Sequence, residues 1–129
     1  MSNESLNKYR SDFNRNGFVM VQDALTPTQL EVMRDQLDIW IDESRQYKTN
    51  FGSTIDGRPR FDLEPKSHSS THPALRRISS PIEISDKYLE ITRDNKALDV
   101  VAHIFGPNIK LVNTKVNLKL PGSGTCLLY

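Results

Sequence analysis

The sequence predicts an α+β domain in which capped, one-sided helices cover the opening strands of a sheet, and three stretches carry that prediction. Thr26-Pro-Thr-Gln29 opens a stripe of Leu30, Met33, Leu37, Trp40, Ile41 and Ser44 at helical spacing. After Asp94 a second apolar pattern, Leu98, Val101, Ala102 and Phe105, runs into Gly106-Pro107. Residues 109–119 alternate instead: Val112, Thr114, Val116 and Leu118 fall on one side, and Leu111, Asn113, Lys115, Asn117 and Lys119 on the other.

Taken in order, Leu6, Tyr9 and Phe13 define a first short helix that Asn16-Gly17 ends, because both residues tolerate a left-handed backbone. Phe18-Val-Met-Val21 is an apolar run of β-forming residues and reads as a buried strand. Thr26 then supplies an N-cap, Pro27 the first helical position and Gln29 the return bond of a capping box, with Leu25 and Leu30 placed as a hydrophobic staple. Met33 and Trp40 sit on the packing stripe and read as core.

From Lys48 to Thr71 periodicity gives way to Gly52, Gly57, Pro59 and Pro65, which reads as a long irregular segment. Within residues 48–77, six basic side chains (Lys48, Arg58, Arg60, Lys66, Arg76, Arg77) outnumber three acidic ones (Asp56, Asp62, Glu64), a balance of 6 − 3 = +3 that suits an anionic substrate or a solvated loop. Leu75–Ile78 is compatible with a short strand. Ser85 caps a short helix through Ile91, and Asp94 caps the next one. Pro121-Gly-Ser-Gly124 turns the chain, and Cys126–Tyr129 offers a strand stub.

Bulk properties narrow the function classes. With 129 residues, 36% apolar and 26% charged, the chain fits one domain with a modest core. A net charge of +1 argues against nucleic acid or an anionic membrane as the main partner. Cys126 has no second cysteine to pair with, which fits a reducing compartment. The N-terminus lacks an apolar signal core, and no window reaches the roughly 20 apolar residues of a spanning helix. A soluble intracellular protein is expected, cytoplasmic unless a C-terminal address sends it to peroxisomes.

Two parts of the chain resemble the phytanoyl-CoA dioxygenase family of iron(II) and 2-oxoglutarate-dependent oxygenases. One is Phe13, Asn16 to Val21 and Leu25 to Leu30; the other is the helix running into Gly106-Pro107, the 109–119 strand, Lys119-Leu-Pro-Gly122 and Tyr129. The resemblance implies that residues 1–129 are the N-terminal part of such an enzyme, an incomplete domain holding the first helices and opening strands of a double-stranded β-helix, or jelly roll. It also implies a parent that hydroxylates a small organic or acyl-CoA substrate as 2-oxoglutarate is decarboxylated to succinate. The family's His-x-Asp follows the position of Tyr129, so no catalytic residue and no metal ligand is expected within this chain. The chain alone is expected to be inactive and to bind neither iron nor 2-oxoglutarate stably. By the same resemblance, Asn113, Lys115, Asn117 and Arg77 occupy positions from which family members reach 2-oxoglutarate.

The residues by themselves leave simpler readings open. The polar side of the 109–119 strand either lines a cosubstrate pocket or faces water. His68 and His72 are four apart, but Ser69-Ser-Thr71 and Pro73 disfavour the helix that would make them joint ligands. His103 reads as a structural or surface histidine. The competing class is a truncated, non-catalytic helical interaction module or relic. With too few strands to close a jelly roll, the isolated chain is expected to be helical, loosely packed and prone to self-association through the 109–119 edge.

Overall fold

Local rules account for the helices. In the computed structural model, which describes residues 1–122, α1 spans Asn3–Asn16 and stops at Gly17, whose φ of 79° lets its N–H turn back to the Phe13 carbonyl. α2 (Pro27–Ser44) begins with the expected capping box: the Gln29 amide donates to Thr26 Oγ1 at 3.1 Å and the Thr26 amide to Gln29 Oε1 at 2.9 Å. Ser85 caps α3 (Asp86–Arg93). α4 (Lys96–Phe105) is capped by Asn95 and not Asp94, because Asn95 Oδ1 takes the Leu98 amide at 2.9 Å while the Asp94 amide still bonds to α3. Its buried residue is correspondingly Val100, 1% exposed, whereas Val101 and Phe105 point outward. Phe105 nevertheless meets Phe13 edge to face at 5.4 Å, joining α4 to α1.

The sheet contains four antiparallel strands, β1 (Phe51–Ser53), β2 (Pro59–Leu63), β3 (Leu75–Ser79) and β4 (Lys115–Asn117), side by side in chain order. Half of it therefore arises in the stretch expected to be irregular. Thr54 and Arg58 close the β1–β2 hairpin through a 2.8 Å backbone bond. Gly57, at φ 86°, provides the left-handed residue that the turn needs.

Two expected strands are corrected. Residues 18–21 pair with no strand among the described residues, and Phe18 and Met20 are exposed. Apolar β-formers without a partner ladder remain an extended connector. The 109–119 strand shortens to Lys115–Asn117, with flanking bonds from Ser80 N–H to the Thr114 carbonyl and from Leu118 N–H to the Arg76 carbonyl. Residues 109–113 pair with no strand among the described residues, because β3 ends at Ser79 and Pro81 leads into a 3-10 turn, Pro81–Glu83.

The core lies between α2, α3 and one sheet face. Trp40 packs on Tyr88 and Phe61, with ring centres 5.1 and 6.3 Å away, above Leu63, Leu75 and Ile78. Tyr88 Oη donates to the Met33 carbonyl at 3.1 Å, tying α3 to α2. The apolar stripe of α2 thus has its sheet, and Val116 and Leu118 pack partly buried against this core. Val112 is left exposed. Residues 123–129, which carry the end of the expected turn, Cys126 and the expected stub to Tyr129, lie outside the described residues.

Candidate functional site

Strand register puts most of the expected polar residues together. Phe61, Ile78 and Val116 oppose one another across β2, β3 and β4 and pack under α2. Successive side chains alternate between faces, so the next row, Asp62, Arg77 and Asn117, lies on the face away from the helices. Lys115 opposes Ser79 and joins that face two residues along. Arg77, Lys115 and Asn117 therefore form one patch on the side of the sheet that no helix covers among the described residues. Lys115 and Asn117 are exposed, and the Arg77 side chain is about a third exposed at 34%. Asn113 precedes β4 and borders a separate hollow with Ile55, Asp56, Arg58, Ser80 and Glu83.

A register shift between Asp62 and Leu63 reshapes the patch. Leu63 opposes Leu75, so Arg76 is the extra residue of a bulge. Tandem arginines would ordinarily point to opposite faces, but here both reach one carboxylate: Asp62 Oδ2 lies 3.6 Å from Arg76 Nη2 and 3.8 Å from Arg77 Nη1. Arg76 Nε also lies 3.8 Å from Glu64 Oε1. These separations suit ion pairs and exceed hydrogen-bond lengths. The Nε atoms of Arg76 and Arg77 are buried without a hydrogen-bond partner among the described residues.

Arg60 plays a different part. Only 5% exposed, it donates to the carbonyls of Ser79 (2.9 Å), Ser80 (2.7 Å) and Ser53 (3.1 Å) and to Glu83 Oε2 at 2.6 Å. It clamps the β1–β2 hairpin to the turn after β3. Partial burial pushes the Glu83 carboxyl up, but the Arg60 hydrogen bond, the Ile55 amide and the Arg60 charge outweigh that and hold it below the usual range. Asp56 is also held low, first by the Thr54 hydroxyl and then by Arg58.

The histidines have structural partners. His68 Nδ1 accepts the Ala74 amide, which leaves Nε2 protonated to donate to the Tyr47 carbonyl, both at 2.9 Å. His72 Nδ1 lies 3.1 Å from Thr71 Oγ1, and His103 Nε2 lies 2.9 Å from Asn7 Oδ1, linking α4 to α1. Among the described residues no three His, Cys, Asp or Glu converge as a metal site, so these residues do not fit an iron centre by themselves. The cationic patch does fit a carboxylate ligand, since it combines a partly exposed planar guanidinium, an ammonium and an amide. Among the described residues no helix is long and apolar enough to cross a membrane.

Sequence reading missed Asp62, Arg60 and the Arg76 bulge. The polar-apolar alternation Arg60-Phe61-Asp62-Leu63 was the available signal. No family model and no solved structure matches the chain. Over 56 residues it is 36% identical to a Stutzerimonas stutzeri protein named as a probable alpha-ketoglutarate-dependent hypophosphite dioxygenase. The match takes in 43% of this chain and spans 20% of that relative's length.

Proposed function

We propose that this chain supplies the cosubstrate-facing sheet of a 2-oxoglutarate-dependent dioxygenase, an oxidoreductase acting on a small anionic substrate. The observation that carries the reading is the row Asp62, Arg77 and Asn117, with Lys115 beside it, on the sheet face opposite the helices. 2-Oxoglutarate, the alpha-ketoglutarate of the relative's name, is a dicarboxylate. An arginine fork binds a carboxylate through two parallel N–H donors, a lysine adds an orientable point charge, and an asparagine amide can donate to an oxygen. Arg77, Lys115 and Asn117 provide that set on a rigid ladder.

The partial match to the relative supports the same class of reaction, in which 2-oxoglutarate becomes succinate and carbon dioxide as one oxygen atom enters the substrate. The relative's hypophosphite and the excess of basic residues in 48–77 both favour a small anion. In this reading the four strands open a jelly roll of the phytanoyl-CoA dioxygenase type, with the helices outside and the polar face toward the interior. The iron(II) that activates oxygen would, in this reading, be held outside the described residues.

The test is 2-oxoglutarate-dependent succinate formation by the complete protein with Lys115→Glu. A carboxylate placed against the dianion in a partly dry site is costly, and the KM for 2-oxoglutarate should rise about tenfold or more. An unchanged KM means the polar face points to solvent and overturns the reading.

A further inference from the structure

The β-bulge of β3 creates an imbalance that a simple structural ion pair would not need. Without it Arg76 would alternate onto the face beneath α2; with it, Arg76 and Arg77 crowd one carboxylate. Asp62 is 8% exposed, so its charge is held largely by these neighbours. Its contact with Arg77 runs to Nη1, at 3.8 Å, while the Arg77 Nε is buried and the side chain as a whole stays about a third exposed. A bidentate Asp62–Arg77 pair would occupy the fork. This one-sided contact instead anchors the guanidinium on the sheet and leaves the exposed part of the side chain open to a ligand.

We propose that Asp62 is a positioning residue for the dicarboxylate cosubstrate, acting through Arg77. The inference rests on the 2-oxoglutarate reading above. Asp62 does not touch the ligand, because a buried carboxylate facing a dianion would repel it. Its part is to fix the plane of the Arg77 fork, so that a ligand carboxylate meets donors already aligned. Preorganisation of this kind appears in cosubstrate affinity and leaves later steps largely unaffected.

The experiment is steady-state kinetics in 2-oxoglutarate on the complete protein for Asp62→Asn, Asp62→Glu, Arg77→Lys and the double variant Asp62→Asn/Arg77→Lys. Asp62→Asn should raise KM about tenfold, the worth of one well-aligned charge-assisted hydrogen bond, with kcat changed less than about twofold. Asp62→Glu should recover most of the affinity. Once Arg77→Lys has removed the fork, adding Asp62→Asn should raise KM no further.

Asp62→Asn lowering thermal stability with KM unchanged would overturn the proposal, as would effects of the two substitutions that simply multiply. If Lys115→Glu leaves KM untouched, the cosubstrate reading itself fails. If Arg77→Lys raises KM and Asp62→Asn does not, only the positioning role fails. Should Asp62→Asn not fold, equilibrium binding of 2-oxoglutarate to Asp62→Glu decides instead. A Kd raised about threefold is expected there, and an unchanged Kd overturns the proposal.

Discussion

Arg60→Met removes the clamp that joins the β1–β2 hairpin to the turn after β3 while keeping most of the side-chain volume. Ser79 and Ser80 are buried, at 6% and 9% exposure, and their carbonyls lose donors now at 2.9 and 2.7 Å. An unsatisfied buried polar group costs about 1–3 kcal/mol; the Ser80 carbonyl keeps the Glu83 amide at 3.0 Å, so the lost Ser79 contact carries most of the cost, about 2 kcal/mol. For a domain of this size 1 kcal/mol moves Tm by about 4 °C, which gives a fall of about 8 °C. Thermal unfolding followed by far-UV circular dichroism at pH 7 reads this directly. A fall of less than about 3 °C would mean that the carbonyls are satisfied without Arg60 and would refute the clamp.

Glu83 gives the clamp a pH signature. Its folded pKa lies below the ordinary 4.5, so its stabilising contribution is present above that value and is lost as pH falls through the folded pKa. Glu83→Gln should therefore melt earlier than the parent at pH 7, with the gap closing in acid; a gap independent of pH would contradict the assignment. Trp40→Ala empties the space between Tyr88 and Phe61 and should cost about 3–5 kcal/mol, read as a lower urea midpoint. Gly52 has φ 70°, and an added Cβ would stand 2.9 Å from Arg60 Cβ, so Gly52→Ala should destabilise by about 1–2 kcal/mol in the same assay. A neutral result there would show that the hairpin can shift to make room.

The parts of the fold legible in the sequence were those decided by a few adjacent residues. The Thr26–Gln29 box, the Ser85 cap and the Gly17 and Gly106 stops need only their own turn of helix, and each forms where expected. Strands were harder, because a strand requires a partner that local sequence does not name. Phe18–Val21 has strand composition and no ladder, whereas Pro59–Leu63 sits in the middle of the sheet behind a proline and two glycines. Pro59 is tolerated there because it is the first residue of β2, and Gly52 because the Arg60 stem lies against it.

The same distinction holds for the candidate site. The alternation around Lys115 and Asn117 was visible, and the structure keeps it, with Val116 inward and both polar neighbours exposed. The opposition of Arg77 to Asn117 and the sharing of Asp62 by two arginines depend on register and on a bulge. Those features arise from pairing between segments far apart in the chain, and no local pattern encodes them.

Whether the sheet face opposite α2 receives 2-oxoglutarate can be seen in a crystal structure of the complete protein soaked with that compound. The dicarboxylate should lie over β3 and β4, with one carboxylate on Arg77 and Lys115 and the Asn117 amide within hydrogen-bond reach. A ligand bound elsewhere, with Arg77, Lys115 and Asn117 all facing open solvent, would contradict it.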